Sequence, residues 1–148
     1  MQRVFHILAI MVLIIGSLMA GLAQGAPAKD AKAAFDQGVE FSKKGQNDQA
    51  IASFSEAIKL DPKNAVAYNS RGLAYYNTKA LDKAIADYNK AIQLDASMVS
   101  PYLNRGVAYA AKGQKDKAIA DLKKVLELTQ DLGLRQKAET VLKELGVK

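Results

Sequence analysis

Apolar residues along this chain recur at helical spacing. Phe35, Val39 and Phe41 form one such set, and Ile51, Phe54 and Ile58 form the next. That spacing puts each set on one face of a helix and leaves the polar positions between them to solvent. The pattern then comes round again. Gly38, Gly72 and Gly106 stand thirty-four positions apart, as do Ala50, Ala84 and Ala118, and as do the rings Phe41, Tyr75 and Tyr109. A fixed period of this size describes a solenoid of helix pairs, each unable to bury its apolar face without a neighbour. Aligned by the period, the units are residues 31–64, 65–98 and 99–132.

The two helices of a unit must cross closely, which calls for a small residue on each. Gly38 with Ala50, Gly72 with Ala84, and Gly106 with Ala118 fill that role. A Gly inside a helix costs about 1 kcal/mol against Ala, so three at one phase point to a backbone contact that needs them. Gly45 and Gly113 follow the first helices of units one and three, where a left-handed residue ends a helix. Unit two has Lys79 at that place, which predicts a different turn. Asn47 and Asp48, Asp82, and Asp116 open the second helices as caps or first-turn acids. Residues 133–148 begin a fourth unit but lack its glycine. Leu134, Ala138, Val141, Leu142 and Leu145 keep helical spacing, with Arg135, Lys137, Glu139, Lys143 and Glu144 between them. This predicts a capping helix with a polar outer face.

The second unit reads Tyr68-x-x-Arg71-Gly72-x-x-Tyr75, then Ala84-x-x-x-Tyr88, and the third reads Tyr102-x-x-Arg105-Gly106-x-x-Tyr109, then Ala118-x-x-x-Leu122. The first is looser: Ala34-x-x-Gln37-Gly38-x-x-Phe41, then Ala50-x-x-x-Phe54, closing with Pro62. Spacing, small residues and aromatics resemble the tetratricopeptide repeat (TPR) family over most of the chain. The departures are Tyr or Ala where the family has its first Trp, and Ala96 or Gln130 where it has a closing Pro. The resemblance implies an all-α fold, a right-handed TPR superhelix (α-solenoid) of three helix-turn-helix repeats and a capping helix. Its concave side would be lined by the first helix of each pair and would hold a partner's peptide or helix.

Carried onto this chain, the inward phase gives Lys32, Phe35 and Val39, then Asn69, Leu73, Tyr76 and Asn77, then Ser100, Leu103, Asn104 and Val107. Such a groove mixes apolar anchors with amides suited to a peptide backbone. Phe35, Leu73 and Leu103 also read as plain core, whereas Tyr76 and Asn77 read as open groove positions. One TPR subclass grips acidic chaperone tails with Lys, Asn and Arg. Its first-unit Lys and Asn fall here on Phe35 and Val39, its second-unit Asn on Ser70, and its third-unit Lys and Arg on Ser100 and Asn104. That clamp is absent from this sequence.

Arg71 and Asp87 stand sixteen positions apart, and Arg105 and Asp121 repeat the pair one unit later, while unit one has Gln37 and Ser53 there. Joint change at both places predicts ion pairs between the helices of units two and three. The competing reading is that these are independent surface charges.

Ahead of the repeats, Met1-Gln2-Arg3 precedes an apolar run from Val4 to Ile15, then small residues including Gly21, Ala23, Gly25 and Ala26. A basic start, an apolar stretch and a small-residue exit describe a secretory signal peptide over 1–23, cleaved after Ala23, with Ala23-Gln24-Gly25 offering a second site and 24–30 a flexible lead-in. The alternative is an uncleaved anchor, since Val4 to Ala23 is long enough to cross a bilayer once. Both leave Arg3 inside and export the repeats, so a periplasmic location, free or anchored to the inner membrane, is expected.

Net charge is +6 in 148 residues. The lysines are scattered, most with an acid within a turn or two, and no stripe interleaving bases with aromatics is expected, which predicts no nucleic-acid partner. Catalysis has little to draw on. There is no Cys, and the lone His6 lies in the leader, so Ser-His and Cys-His nucleophile pairs and the commonest transition-metal ligands are missing. No enzyme, metal or cofactor is expected. What the sequence predicts is an exported module that binds another protein, with self-association into an envelope structure as the alternative.

Overall fold

A computed structural model describes residues 30–147. The leader or anchor expected over residues 1–23 lies outside the described residues. Among the described residues seven helices follow one another: α1 Ala31–Lys43, α2 Asn47–Leu60, α3 Ala65–Asn77, α4 Leu81–Leu94, α5 Val99–Ala111, α6 Lys115–Leu128 and α7 Leu132–Glu144. No strand occurs among the described residues.

Side chains open α1, α3 and the cap. Asp30 accepts from the Ala33 N–H at 2.7 Å, Asn64 from Ala67 at 2.9 Å, and Asp131 from Leu134 at 2.8 Å. The second helices start differently. Gln46, Ala80 and Gln114 precede them without a side-chain cap, and Asn47 is already the first residue of α2. Asp48, Asp82 and Asp116 are therefore first-turn acids, favourable to the helix dipole, and none of them caps.

The turn of unit two does not differ from the others, contrary to the expectation from Lys79. Gly45, Lys79 and Gly113 all take the left-handed conformation, with φ of 70°, 65° and 72°. In each turn the next residue's N–H reaches the carbonyl five positions back at 2.9 Å. This bond is formed by the backbone alone, so it holds Lys79 in a region that costs an L-residue about 1–2 kcal/mol.

The glycines work mainly through a different partner from the one the pairing with Ala predicted, although at Gly72 the Ala84 carbonyl oxygen also lies 3.2 Å from where a Cβ would stand. A Cβ on Gly38 would lie 2.6 Å from the Phe54 ring, one on Gly72 2.7 Å from the Tyr88 ring, and one on Gly106 3.1 Å from Leu122 Cγ. Each glycine makes room for the bulky residue four positions after the alanine, because that side chain stands between the helices. Ala50, Ala84 and Ala118 are themselves fully buried beside it.

Each helix packs on its chain neighbours, and α1, α3, α5 and α7 also touch in succession, whereas α2, α4 and α6 do not touch one another. The odd-numbered helices therefore line the inside of a curve and the even-numbered ones its outside. The core is a row of clusters, each shared with the next unit. Phe54 meets Ala74, Tyr88 meets Ala108, and Leu122 and Val125 meet Ala138 and Leu142 of α7. Helix α7 thus buries the last apolar face that the repeats leave open.

Candidate functional site

The inner face changes character along the row. In unit one, Phe35 tilts against Phe54 with ring centroids 5.5 Å apart, and Val39 packs on the same cluster, so both belong to the core. Lys32 is exposed and paired with Asp36 on its own helix. In unit two, Leu73 is 44% exposed and Val66, two turns earlier on α3, is 48% exposed. Leu73 is open groove where a core reading was available, while Leu103 goes the other way and is buried against α6 and α7.

Two clefts open on this face. The larger, about 560 Å³, lies between α5 and α7, with Leu103, Asn104 and Val107 on one wall and Gln136, Thr140 and Val141 on the other. The smaller, about 210 Å³, is lined by Leu73, Tyr76, Tyr88, Asn104 and Val107. Asn104 and Val107 border both, so the clefts are parts of one groove. Among the described residues, Lys137 is the one charged residue lining either.

The amides are less free than the sequence suggests. Asn104 Nδ2 donates to Asn69 Oδ1 at 3.1 Å, and Asn77 Nδ2 donates to Asn47 Oδ1 at 3.3 Å. Each donor keeps a second N–H for a ligand. Ser100 is half-buried, and Tyr76 is half-buried where Asn77 is exposed.

Residues 38–79 match the family described as TPR repeat, and residues 65–98 and 99–131 each match the tetratricopeptide repeat family, together covering well over half of the chain. The chain belongs to the tetratricopeptide repeat family. No curated protein sequence matches this TPR protein. Among solved structures it is similar to the first TPR domain of Spaghetti (RPAP3) bound to HSP90 peptide SRMEEVD, at 27% identity over 84% of this chain and 96% of that one, with a TM-score of 0.75. The second TPR domain of human RPAP3, in complex with HSP70 peptide SGPTIEEVD, is 29% identical over 83% of this chain and all of that one, TM-score 0.74. The TPR domain of Arabidopsis OM64 is 28% identical over 80% and 98%, TM-score 0.74.

Behind the groove, the TPR helices of units two and three are tied by arginines. Arg71 donates through Nε and Nη2 to the two Asp87 carboxylate oxygens, both at 2.8 Å, and through Nη1 to Ser55 Oγ at 3.0 Å. Arg105 does the same with Asp121 at 2.7 Å twice, and with Asn89 Oδ1 at 2.6 Å. Hydrogen bonds from the guanidinium to the carboxylate raise each arginine above its ordinary pKa, against the opposing effect of burial. Each arginine therefore holds three helices: its own, the second helix of its unit, and the second helix of the unit before. Its guanidinium also lies 5.7–5.9 Å from two ring centroids, Tyr68 and Tyr75 for Arg71, Tyr102 and Tyr109 for Arg105. Lys83 and Lys117 stand over Tyr75 and Tyr109 from the next helix. The fold thus does interleave bases with aromatics, contrary to the expectation of no such stripe, because the helix repeat stacks Arg71 between Tyr68 and Tyr75 and Arg105 between Tyr102 and Tyr109 and the next helix adds a lysine to each. The arginine charges in this array are matched by Asp87 and Asp121.

Sequence reasoning missed several groove residues. Val66 stands one period from both Lys32 and Ser100, two inward-phase positions, so the period itself contained that signal. Gln136, Thr140 and Val141 were hidden because α7 starts thirty-three positions after α5, one short of the period. Tyr88 carries the family's bulky position and reads as core.

Proposed function

We propose that this TPR protein is a non-enzymatic interaction module that takes a peptide or helix of a partner protein into its concave groove. We infer further that it does so on the exported side of the membrane, as a scaffold in the cell envelope. The observation that carries the first part is the groove itself. Val66 and Leu73 are exposed on the inner face, and the two joined clefts beside them are mainly apolar. Apolar surface left open on a concave wall is what a partner's side chains cover. Peptide binding by the structural neighbours supports the same use.

The partner's chemistry differs from that of the acidic peptides held by those neighbours. At the clamp positions this chain has Phe35, Val39, Ser70, Ser100 and Asn104, none of them cationic. Phe35 and Val39 are half-buried against the unit-one core. An apolar or amide-rich segment suits this groove better than a carboxylate tail. The location rests on the sequence pattern of residues 1–23, and N-terminal sequencing of the exported protein tests it, with Gln24 as the expected first residue.

The test of the groove is affinity isolation of the tagged protein from its own host after crosslinking. A defined partner at fixed stoichiometry should be lost in Leu73→Asp and kept in Ala86→Asp, an exposed site on the outer helix α4. Equal loss, or retention in both, would contradict the reading. Recovery of further copies of this chain alone would favour self-association.

A further inference from the structure

The two walls of the larger cleft are unlike. On α5, Leu103 is buried and Val107 half-buried, and no acid occurs along the whole helix. On α7, Val141 is half-buried and Gly133 has no side chain, where the second residues of α3 and α5 are Val66 and Ser100. A Cβ built on Gly133 would meet only Asp131 Oδ1, at 3.3 Å, so the space beside it is open. One turn later on the same wall stands Lys137, which is exposed. Other lysines are answered on their own helices: Lys32 by Asp36, Lys43 by Glu40, Lys59 by Glu56 and Lys124 by Glu127. Lys137 has Gly133, Leu134, Thr140 and Val141 at the three- and four-residue steps, none of them acidic. Glu139 of the same helix lines a separate cleft against α6, beside Lys123. Among the described residues, no carboxylate forms an ion pair with Lys137.

We propose that this cleft seats a large apolar side chain of the partner segment and that Lys137 pairs with a carboxylate next to it. The proposal rests on the groove being the binding face and adds what one part of it selects. At about 560 Å³ the cleft is in the size range of pockets that enclose small ligands. Leu103, Val107 and Val141 take the apolar body out of water. Asn104, which gives one N–H to Asn69, has its second for a carbonyl of the segment's backbone. The carboxylate stays at the open edge, where it keeps much of its water while gaining the attraction of an unmatched cation. Lys137 lies outside the clamp positions, and a single cation beside an apolar seat selects one acid flanking an apolar residue, not an acidic run.

The probes are N-acetyl-L-phenylalanine, which carries a carboxylate, and its neutral amide, titrated at low salt into the protein purified from its host while the methyl resonances of Val107 and Val141 are followed. Saturable shifts are expected with both, the carboxylate binding about two- to five-fold more tightly. That preference should vanish in Lys137→Gln and fade at high salt. Gly133→Leu puts a side chain into the open space and should melt no lower than wild type, since it also gains helix propensity, yet lose both probes. Gln136→Trp, at an exposed site on the same wall, should weaken both as well and serves if Gly133→Leu does not fold. Absence of saturable shifts at the two methyls would overturn the proposal, as would full affinity in a folded Gly133→Leu. An unchanged preference for the carboxylate in Lys137→Gln would overturn it too. A partner kept in Gly133→Leu but lost in Leu73→Asp would remove this proposal and leave the groove reading standing.

Discussion

In unit one, α1 and α2 carry Gln37, Ser53 and the Phe54 ring at the places where α3 and α4 of unit two carry Arg71, Asp87 and the Tyr88 ring. The crossing is the same in both. Gly38 faces Phe54 as Gly72 faces Tyr88, and Ala50 and Ala84 are buried alike. The shape of a helix pair is thus set by a glycine, an alanine and a bulky apolar body, and the polar groups are additions to that frame. Those additions serve neighbours. Arg71 and Arg105 reach back to Ser55 and Asn89 on the preceding unit's second helix.

The comparison breaks most visibly at the ion pair. Asp87→Ala leaves the Arg71 guanidinium partly buried and unmatched, and should cost about 3 kcal/mol, seen as a lower urea midpoint at constant slope. Replacing both partners with the unit-one residues, Arg71→Gln with Asp87→Ser, should cost about 1 kcal/mol, because no charge is then stranded. A double variant as unstable as the single one would show that the frame alone cannot form the crossing.

Next come the glycines. Gly38→Ala and Gly72→Ala press a methyl into buried rings and should each cost about 2 kcal/mol. Gly106→Ala meets Leu122 at the looser 3.1 Å and gains helix propensity, so its cost should stay under about 1 kcal/mol. The reverse order in chemical denaturation would contradict the account of what the glycines face. Smaller again, Lys79→Gly should stabilise unit two by about 0.5–1 kcal/mol by removing left-handed strain, whereas Gly45→Lys should do the opposite to unit one.

The smallest effect is a pH dependence. Tyr88 has its phenol raised by burial, so the unfolded chain loses that proton first as pH climbs past about 10. The protein then binds one more proton folded than unfolded, and stability falls with rising pH in that window. Tyr88→Phe should flatten this alkaline limb relative to wild type in thermal melts between about pH 9 and 11, by a small margin. Phe54, at the same place in unit one, has no such proton to lose.

Much of this was legible in the sequence because the period is a packing rule. The helix pairs, the inner phase at Asn69 and Leu73, and the sixteen-residue spacing of Arg71 and Asp87 all follow from it. An equal step in the other direction from Arg71 lies Ser55, a symmetry that would have revealed the tie between units. What stayed hidden has physical causes. A backbone bond dictates the turn at Lys79, and side-chain identity does not report it. The wall from α7 escaped because its register slips by one residue. Whether Phe35, Leu73 or Leu103 is core depends on what the neighbouring unit places above it, which one unit's pattern does not contain.

The central claim is that the inner face receives the partner. Its most direct measurement is a photo-crosslinking residue placed in turn at Leu73 on α3 and at Ala86 on α4, in the host that makes the protein. One discrete foreign protein is expected from Leu73 and none from Ala86. Capture of that same protein from Ala86, with none from Leu73, would put the binding face on the outside of the curve and contradict it.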